Sequence, residues 1–271
     1  MPPATNCRCS DSSRDALDAP VMLVNPAADR LQSLAMGAAT RVQRYDWRAI
    51  AAALDAQGWA RLPRLLVARE CASLRALYGE DARFRSTVDM TRHGFGRGEY
   101  RYFARPLPPL VEELRAALYP PLAATARDWA VRLRRDPEQF PPTLDAFLAR
   151  CHDAGQRRPT PLLLRYVAGD WNALHQDLYG AVAFPLQVLV VLSERDTDYE
   201  GGEVLLVEQR PRAQSRGTAI TLTRGDGLIF TNRDRPVRGA RGDYPVAMRH
   251  GVSTLTHGER LTLGIIFHDA Q

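Results

Sequence analysis

The stretch that decides the fold is LLLRYVAGDWNALHQD, residues 162–177. It begins with an apolar run that is typical of a buried strand, passes through a turn at Gly169, and then presents His175 and Asp177. Side chains two residues apart on an extended strand project to the same face. An imidazole and a carboxylate at this spacing can therefore bind one metal ion.

The apolar pattern stays that of strands from residue 161 to the end of the chain. We predict strands at 162–168, 182–192, 203–208, 218–223, 227–231, 246–250 and 261–267. Turn signals such as Gly201-Gly202 and 224–227 (RGDG) separate them. Seven or eight short strands in about 110 residues favour a sandwich or jelly roll. We therefore predict an α+β fold whose core, residues 161–271, is a double-stranded β-helix (jelly roll).

The part of the chain before residue 161 has a different character. Residues 1–40 lack a sustained period and are predicted to be a poorly ordered leader. Residues 41–160 are predicted to form a helical annex: apolar residues recur at helical spacing from Ile50, Gly58 ends the first helix, and three further helical segments follow. Within the annex, residues 83–105 mix glycines, arginines and aromatics, which indicates a long loop or ribbon near a binding site.

A facial triad needs one more histidine, which leaves three positions of the metal open for a chelating cosubstrate and dioxygen. The candidates are His93, His152, His250, His257 and His268. His250 is favoured because the strand ending in Phe267 follows it closely and carries Arg260. His257 lies in a turn and is expected to be solvated, whereas His268 closes a strand and is expected to be structural.

Two further residues are candidates for the cosubstrate pocket. Arg260 is predicted on the strand antiparallel to that of His250, facing the same cavity, where a guanidinium can bind a dicarboxylate through two parallel hydrogen bonds. Gln187 is an unusual polar residue in an apolar strand. It is either a cavity contact or a hydrogen-bonded core amide.

Composition excludes several kinds of chemistry. All 36 basic residues are arginine, and the net charge is +5. Without lysine the chain has neither a pyridoxal Schiff base nor a phosphate-binding P-loop. Arginine suits phosphate and carboxylate partners, although a GC-rich genome explains the same usage. Four cysteines, of which only Cys7 and Cys9 are close together, form no disulfide framework or zinc site.

The sequence also bears on location. No signal peptide and no apolar run of membrane-spanning length is present, so we expect a cytoplasmic protein with no membrane partner. The oligomeric state is not predictable from the sequence.

Residues 90–105 are predicted to form part of the substrate entrance. Four arginines alternate with four aromatic residues, and three glycines allow close approach of the backbone to a ligand. The predicted substrate-binding residues are Arg97, Tyr100, Arg101 and Tyr102. The alternative is that the aromatics attach the loop to the core while the arginines are solvated.

His-x-Asp, the distal His250 and Arg260 ten residues later resemble the iron(II)- and 2-oxoglutarate-dependent oxygenase superfamily, which includes prolyl hydroxylases and AlkB-type demethylases. This resemblance implies Fe(II), 2-oxoglutarate as cosubstrate, and dioxygen. Arg-Tyr-x-x-Gly ahead of His-Gln-Asp is similar to the AlkB-type strand that supplies a tyrosine to 2-oxoglutarate, which implies that role for Tyr166. The spacing between His250 and Arg260 resembles prolyl hydroxylases instead.

From about residue 45 to 271 the chain further resembles a bacterial oxygenase subfamily named for oxidative repair of methylated DNA. The phrases that carry this are RFRSTVDM, RGEYRYF, PTPLLLRY, HQDLYG, FPLQ, GGE, EQRPRAQSR, RHGVS and LGIIFHDA. Three functions stay open: oxidation of a methylated nucleobase in nucleic acid, hydroxylation of a protein side chain or small metabolite, and a metal-binding sensor without catalysis.

Overall fold

The computed structural model describes residues 36–177 and 180–271. Most of the predicted leader, with Cys7 and Cys9, lies outside the described residues. No helix in the described ranges is long and apolar enough to cross a membrane.

Five α-helices lie in the described part of the chain ahead of the main run of strands. They are α1 (Ala38–Gln43), α2 (Trp47–Gln57), α3 (Ala68–Ala76), α4 (Pro109–Arg132) and α5 (Leu144–Asp153). Asp46 caps α2 by accepting from the backbone of Arg48 and Ala49, and Gly58 ends that helix in a left-handed conformation, as the sequence predicts.

Fourteen strands build two sheets in the described residues. They are β1 (Trp59–Leu62), β2 (Phe84–Asp89), β3 (Gly96–Arg97), β4 (Glu99–Phe103), β5 (Leu162–Val167), β6 (Trp171–His175), β7 (Leu186–Val191), β8 (Tyr199–Gly201), β9 (Val204–Gln209), β10 (Arg216–Ile220), β11 (Gly227–Thr231), β12 (Asp234–Gly239), β13 (Gly242–Val252) and β14 (Leu255–Ile265). The major sheet has the order β1-β11-β7-β14-β5-β4-β2, with β8 added to β14. The minor sheet has the order β10-β9-β13-β6-β3, with β12 added to β13.

The major sheet separates two apolar cores. On β7, Val188 and Val190 belong to the core shared with the helices, whereas Leu189 and Val191 belong to the core shared with the minor sheet. This alternation explains why β7 is apolar apart from Gln187, since a strand covered on both faces has no solvent side. The α+β jelly roll with an N-terminal helical portion is therefore confirmed.

The segment 41–160 is not purely helical, because it also supplies β1 to β4. The predicted loop 83–105 is largely a hairpin, in which β2 pairs with β4 and β4 continues the major sheet next to β5. Of the two predicted forms, loop or ribbon, the structure has the ribbon: the alternation of aromatic and charged residues in RGEYRYF is that of a strand with one face toward the sandwich interior.

Candidate metal centre and cosubstrate pocket

Three side chains with metal-binding atoms converge between the sheets. His175 ends β6 and lies directly opposite His250 on β13, and Asp177 follows two residues later. Their ligand atoms all lie within 4.8 Å of one another. His250 Nε2 is 3.1 Å from Oδ2 of Asp177, and His175 Nε2 is 3.4 Å from Oδ1.

These distances fit a metal ion bound on one face. Two donor atoms that each lie about 2.1 Å from a metal, at right angles, are about 3.0 Å apart. Two imidazoles and one carboxylate form the donor set typical of non-haem iron(II) oxygenases. The residues therefore fit iron(II).

The surroundings fix the orientation and charge of the three groups. Nδ1 of His175 donates to the carbonyl of Ala173 at 2.7 Å, which leaves the lone pair of Nε2 for a metal. Burial lowers the pKa of His250, although the carboxylate of Asp177 beside it acts in the opposite direction. Burial alone raises the pKa of Asp177, but the two imidazoles outweigh it and hold that pKa well below its usual value, so the carboxylate is ionised.

Gln187, on β7, contacts this cluster directly. Its Nε2 lies 3.0 Å from Oδ2 of Asp177 and 3.1 Å from Nε2 of His250, and the residue is buried. The structure thus combines the two alternatives predicted for Gln187: its amide is a buried, hydrogen-bonded core group and also lines the cavity. Its contacts are with the candidate metal ligands.

Arg260 is buried without an acidic partner among the described residues. It is 1% exposed, and its Nε and Nη1 have no hydrogen-bond partner there. It lies opposite Tyr166 in the pairing of β14 with β5, and its guanidinium carbon is 5.8 Å from the centre of that ring. A buried guanidinium with unused donors is costly unless a ligand carboxylate completes it.

The hydroxyl of Tyr166 is available to the same ligand. Nδ2 of Asn172 donates to it at 3.2 Å, and burial raises the pKa of Tyr166 to about 12, so the hydroxyl keeps its proton and can donate. Tyr166 and Asn172 both line the cavity, whereas Arg260 itself does not and lies beside the tyrosine ring.

Sequence reasoning missed Thr262. This residue is fully buried, and its Oγ1 has no hydrogen-bond partner in the described chain. It lies two residues after Arg260 on β14, so both side chains project to the same face. The strand period would have found it, because the same rule that joins His175 to Asp177 joins Arg260 to Thr262.

Comparison with known proteins places the chain in a family. The family model Oxygenase-NA, described as an oxygenase catalysing oxidative methylation of damaged DNA, matches residues 98–270. The chain belongs to the Oxygenase-NA family. The uncharacterized protein Rv2227 of Mycobacterium tuberculosis is 48% identical over 230 residues, which are 85% of this chain and 93% of that protein.

Solved structures give the same fold at low identity. A prolyl 4-hydroxylase from Phytophthora capsici matches with a TM-score of 0.51 and 19% identity, over 84% of this chain and 64% of that chain. SnoN, a non-heme alpha-ketoglutarate-dependent epimerase from nogalamycin biosynthesis, matches with a TM-score of 0.50 and 17% identity, over 81% of each. The description of its family makes this Oxygenase-NA member an oxygenase, and the two solved structures share its fold.

The cavity of this Oxygenase-NA chain extends from the three candidate metal ligands to strand β4 of the β2–β4 hairpin. Its volume is about 370 Å³, and its wall is mostly apolar. Beyond the candidate ligands, the wall includes Tyr100 and Tyr102, whose rings meet edge to face at 5.4 Å, together with Leu162 and Leu164. The structure thus brings the two predicted tyrosines to the cavity.

The two predicted arginines lie elsewhere. Arg101 is turned to the opposite face of β4, where it bonds to Asp81 and Glu99 and stacks on Tyr78. A substrate role for Arg101 is therefore not supported, because neighbouring residues of a strand face opposite sides. Arg97 is exposed at the rim, 3.8 Å from Asp170.

Proposed function

We propose that this Oxygenase-NA chain binds iron(II) through His175, Asp177 and His250 and oxidises a methyl group on a nucleobase, using 2-oxoglutarate and dioxygen. The observation that carries the proposal is a two-histidine, one-carboxylate cluster in the same cavity as a buried tyrosine, next to an arginine whose donors are unused. The iron supplies the open coordination positions for the cosubstrate and for activation of dioxygen.

The protein's part is to bind and orient the two substrates. Arg260 can bind the far carboxylate of 2-oxoglutarate through its unpartnered Nε and Nη1, with Thr262 as a further donor from the same strand face. The hydroxyl of Tyr166 is directed by Asn172 and can donate to the same molecule. The amide of Gln187 steadies the carboxylate of Asp177, which supports its binding to iron.

A methylated base is supported as substrate by the shape and chemistry of the cavity. Tyr100, Tyr102 and the neighbouring leucines offer flat and apolar contacts near the metal cluster, as enclosed bases require. The description of the family also couples oxidation, a methyl group and damaged DNA.

The proposed reaction balances. One dioxygen oxidises 2-oxoglutarate to succinate and carbon dioxide and inserts its second oxygen atom into a C–H bond of the N-methyl group. The resulting N-hydroxymethyl group loses formaldehyde, which leaves the demethylated base with a proton on nitrogen. Each step uses a co-reactant that the superfamily already employs.

The test is a screen of succinate release by the full chain with Fe(II) and 2-oxoglutarate. Oligonucleotides with N-methylated bases, peptides and small hydroxylatable metabolites would be compared, with formaldehyde measured in parallel. We expect stoichiometric succinate and formaldehyde with methylated oligonucleotides. Succinate release that is stimulated only by peptides or metabolites would refute a methylated nucleobase as the substrate.

Hydroxylation of a protein side chain or small metabolite is the second candidate. It is favoured by the ten-residue spacing of His250 and Arg260, which resembles that of prolyl hydroxylases. Such a product would keep its hydroxyl group, so succinate without formaldehyde distinguishes this activity.

A further inference from the structure

We propose that the ribbon formed by β3 and β6 at the mouth of the cavity binds the nucleotides next to the target base on a single DNA strand. The surface consists of Phe95, Arg97, Trp171 and Leu174 and is called the rim patch. This inference rests on the proposed function, because it presupposes a base in the cavity.

Exposed apolar side chains are concentrated in the rim patch. Among the described residues, five large hydrophobic side chains are exposed, and three of them are Phe95 at 47%, Trp171 at 40% and Leu174 at 41%. Phe95 and Leu174 also line the cavity. Two members of the patch thus border the site directly, and exposed apolar side chains concentrated on one short ribbon indicate binding.

The backbone of the ribbon holds the patch in place. Gly96 pairs with Asn172 and Arg97 with Trp171, while the carbonyl of Phe95 accepts from the amide of Ala173. A Cβ on Gly96 would collide with the carbonyl oxygen of Trp171, so this close pairing requires glycine.

The two faces of the ribbon point in opposite directions. Asn172 points to Tyr166 in the sandwich interior, and strand alternation therefore places its neighbours Trp171 and Arg97 together on the other face. By the same alternation Leu174 shares the cavity side with Asn172, whereas the aromatic ring and the cation lie together on the outer side of the ribbon.

The charge at the rim suits a nucleic-acid backbone. The side chain of Arg97 is 62% exposed and that of Arg92 is 80% exposed, and their acidic neighbours are at loose distances of 3.8 Å and 3.5 Å. Asp170 is itself buried, so solvent and any bound phosphate reach the guanidinium of Arg97 rather than the carboxylate. Exposed aromatics interleaved with arginine form the surface that stacks unpaired bases and contacts their phosphates.

The experiment compares a short and a long probe on the full chain, loaded with Fe(II) and 2-oxoglutarate without oxygen. The probes are 1-methyladenosine monophosphate and a single-stranded heptanucleotide with one central 1-methyladenine. Wild type is expected to bind the heptanucleotide at least tenfold more tightly than the mononucleotide. Trp171→Ala should reduce this ratio of affinities about tenfold. A duplex of the same sequence should bind more weakly, because its base faces are covered.

Two matched variants control for surface changes in general. Val131→Ala truncates an exposed apolar side chain of α4, and Arg150→Ala removes an exposed arginine of α5. Both should keep the heptanucleotide preference. Arg97→Ala should reduce the slope of log affinity against log salt by about one, whereas Arg150→Ala should not.

The outcomes separate the rim patch from the proposed function. Equal heptanucleotide preference in wild type and Trp171→Ala, or no preference in wild type, overturns the rim patch even when methylated bases stimulate succinate release. Trp171-dependent binding of a peptide in place of the heptanucleotide overturns it as well. Absence of succinate release with every methylated probe refutes the proposed function instead.

Discussion

Two clusters of buried charged side chains in this chain differ in where their partners come from. Near the C-terminus, the carboxylate of Asp269 accepts from Arg115 at 2.8 Å and Arg105 at 2.7 Å and lies 3.2 Å from His152. Arg115 also donates to the carbonyls of Ile266 and Phe267. Every buried donor of Arg115 thus has a protein partner.

The interior of the sandwich is different. Nε and Nη1 of Arg260, Oγ1 of Thr262 and Nδ1 of His250 have no partner among the described residues. Buried polar groups are normally satisfied, and the exceptions need an explanation. The carboxylate of Asp269 is therefore satisfied within the protein, whereas Arg260 and Thr262 leave buried donors for a ligand.

The largest expected effect is on the metal centre. His250→Ala removes one of three ligands, so we expect loss of iron binding and of iron-dependent succinate release, with the far-ultraviolet circular dichroism unchanged. Iron stoichiometry measures the first and a coupled succinate assay the second. His257→Ala, at an exposed position of β14, is the control and should retain both. Retention of full iron affinity by His250→Ala would assign the ligand to another histidine.

The next effect tests the Asp269 cluster. Arg115→Met leaves the carboxylate of Asp269 buried with its main partner gone, which is expected to cost about 3–5 kcal/mol of the free energy of unfolding. Urea unfolding at neutral pH measures this. Arg150→Met, at an exposed helical position, should change the free energy of unfolding by less than about 0.5 kcal/mol. Equal stability of the two variants would show that Arg115 does not hold the fold.

Arg260→Met should behave in the opposite way to Arg115→Met. Without 2-oxoglutarate, replacing an unpartnered buried guanidinium with an apolar side chain should leave the free energy of unfolding unchanged or raise it. The affinity for 2-oxoglutarate should fall about ten- to a hundredfold, since a charge-assisted contact contributes roughly 1.5–3 kcal/mol. Calorimetric titration measures the affinity. Arg165→Met, whose arginine pairs with Glu259, should keep it, and an unchanged affinity in Arg260→Met would refute the cosubstrate contact.

The sequence predicts this site well where the rule is local or rests on strand period. The spacing of His175 and Asp177 predicts that both bind one metal ion; Asp177 lies two residues beyond the end of β6, and the structure brings His250 to the pair from β13. It also predicts Tyr100 and Tyr102 near the cavity, because both belong to a segment rich in aromatics. The jelly roll follows from the run of short strands after residue 161.

The misses have a common physical cause, which is that pairing partners lie far apart in sequence. β12 begins with Asp234 and Arg235 and looks like a loop, yet both residues are buried because Arg135 and Glu208 neutralise them. Arg101, predicted among the substrate residues, lies on the other face of β4, where Asp81, 20 residues away in sequence, binds it. Tertiary ion pairs of this kind leave no local pattern.

A smaller effect is expected at Gln187. Gln187→Leu keeps the approximate shape but removes the amide that contacts Asp177 and His250, so the affinity for iron(II), or for Mn(II) as a stable substitute, should fall about tenfold. Paramagnetic resonance of bound Mn(II) measures it without turnover. Unchanged Mn(II) affinity together with lower thermal stability would show that Gln187 acts only as a hydrogen-bonded core amide and does not support metal binding.

The smallest expected effect is on the stability of a variant at Arg105, the exposed arginine partner of Asp269. The side chain of Arg105 is 47% exposed, whereas that of Arg115 is 2% exposed, although both bond to the same carboxylate. Solvent screens the exposed pair, so Arg105→Ala should lower the free energy of unfolding by less than about 1 kcal/mol, against the larger loss in Arg115→Met.

The pH dependence of the stability difference between wild type and Arg105→Ala tests whether that difference arises from the charge of Asp269. Burial by itself raises the pKa of Asp269, but the charge and hydrogen bond of Arg115, with His152 and Arg105, bring it below the ordinary value. A carboxylate with a lowered pKa stabilises the fold above its unfolded pKa of about 3.9, and this contribution is lost as the pH falls through the folded pKa. The stability difference between wild type and Arg105→Ala should therefore be complete at pH 6–7 and shrink below about pH 4. Urea unfolding of both proteins across this range measures it, with Arg150→Ala as the control, and a difference that persists unchanged at pH 3 would show that Arg105 acts through packing of its stem.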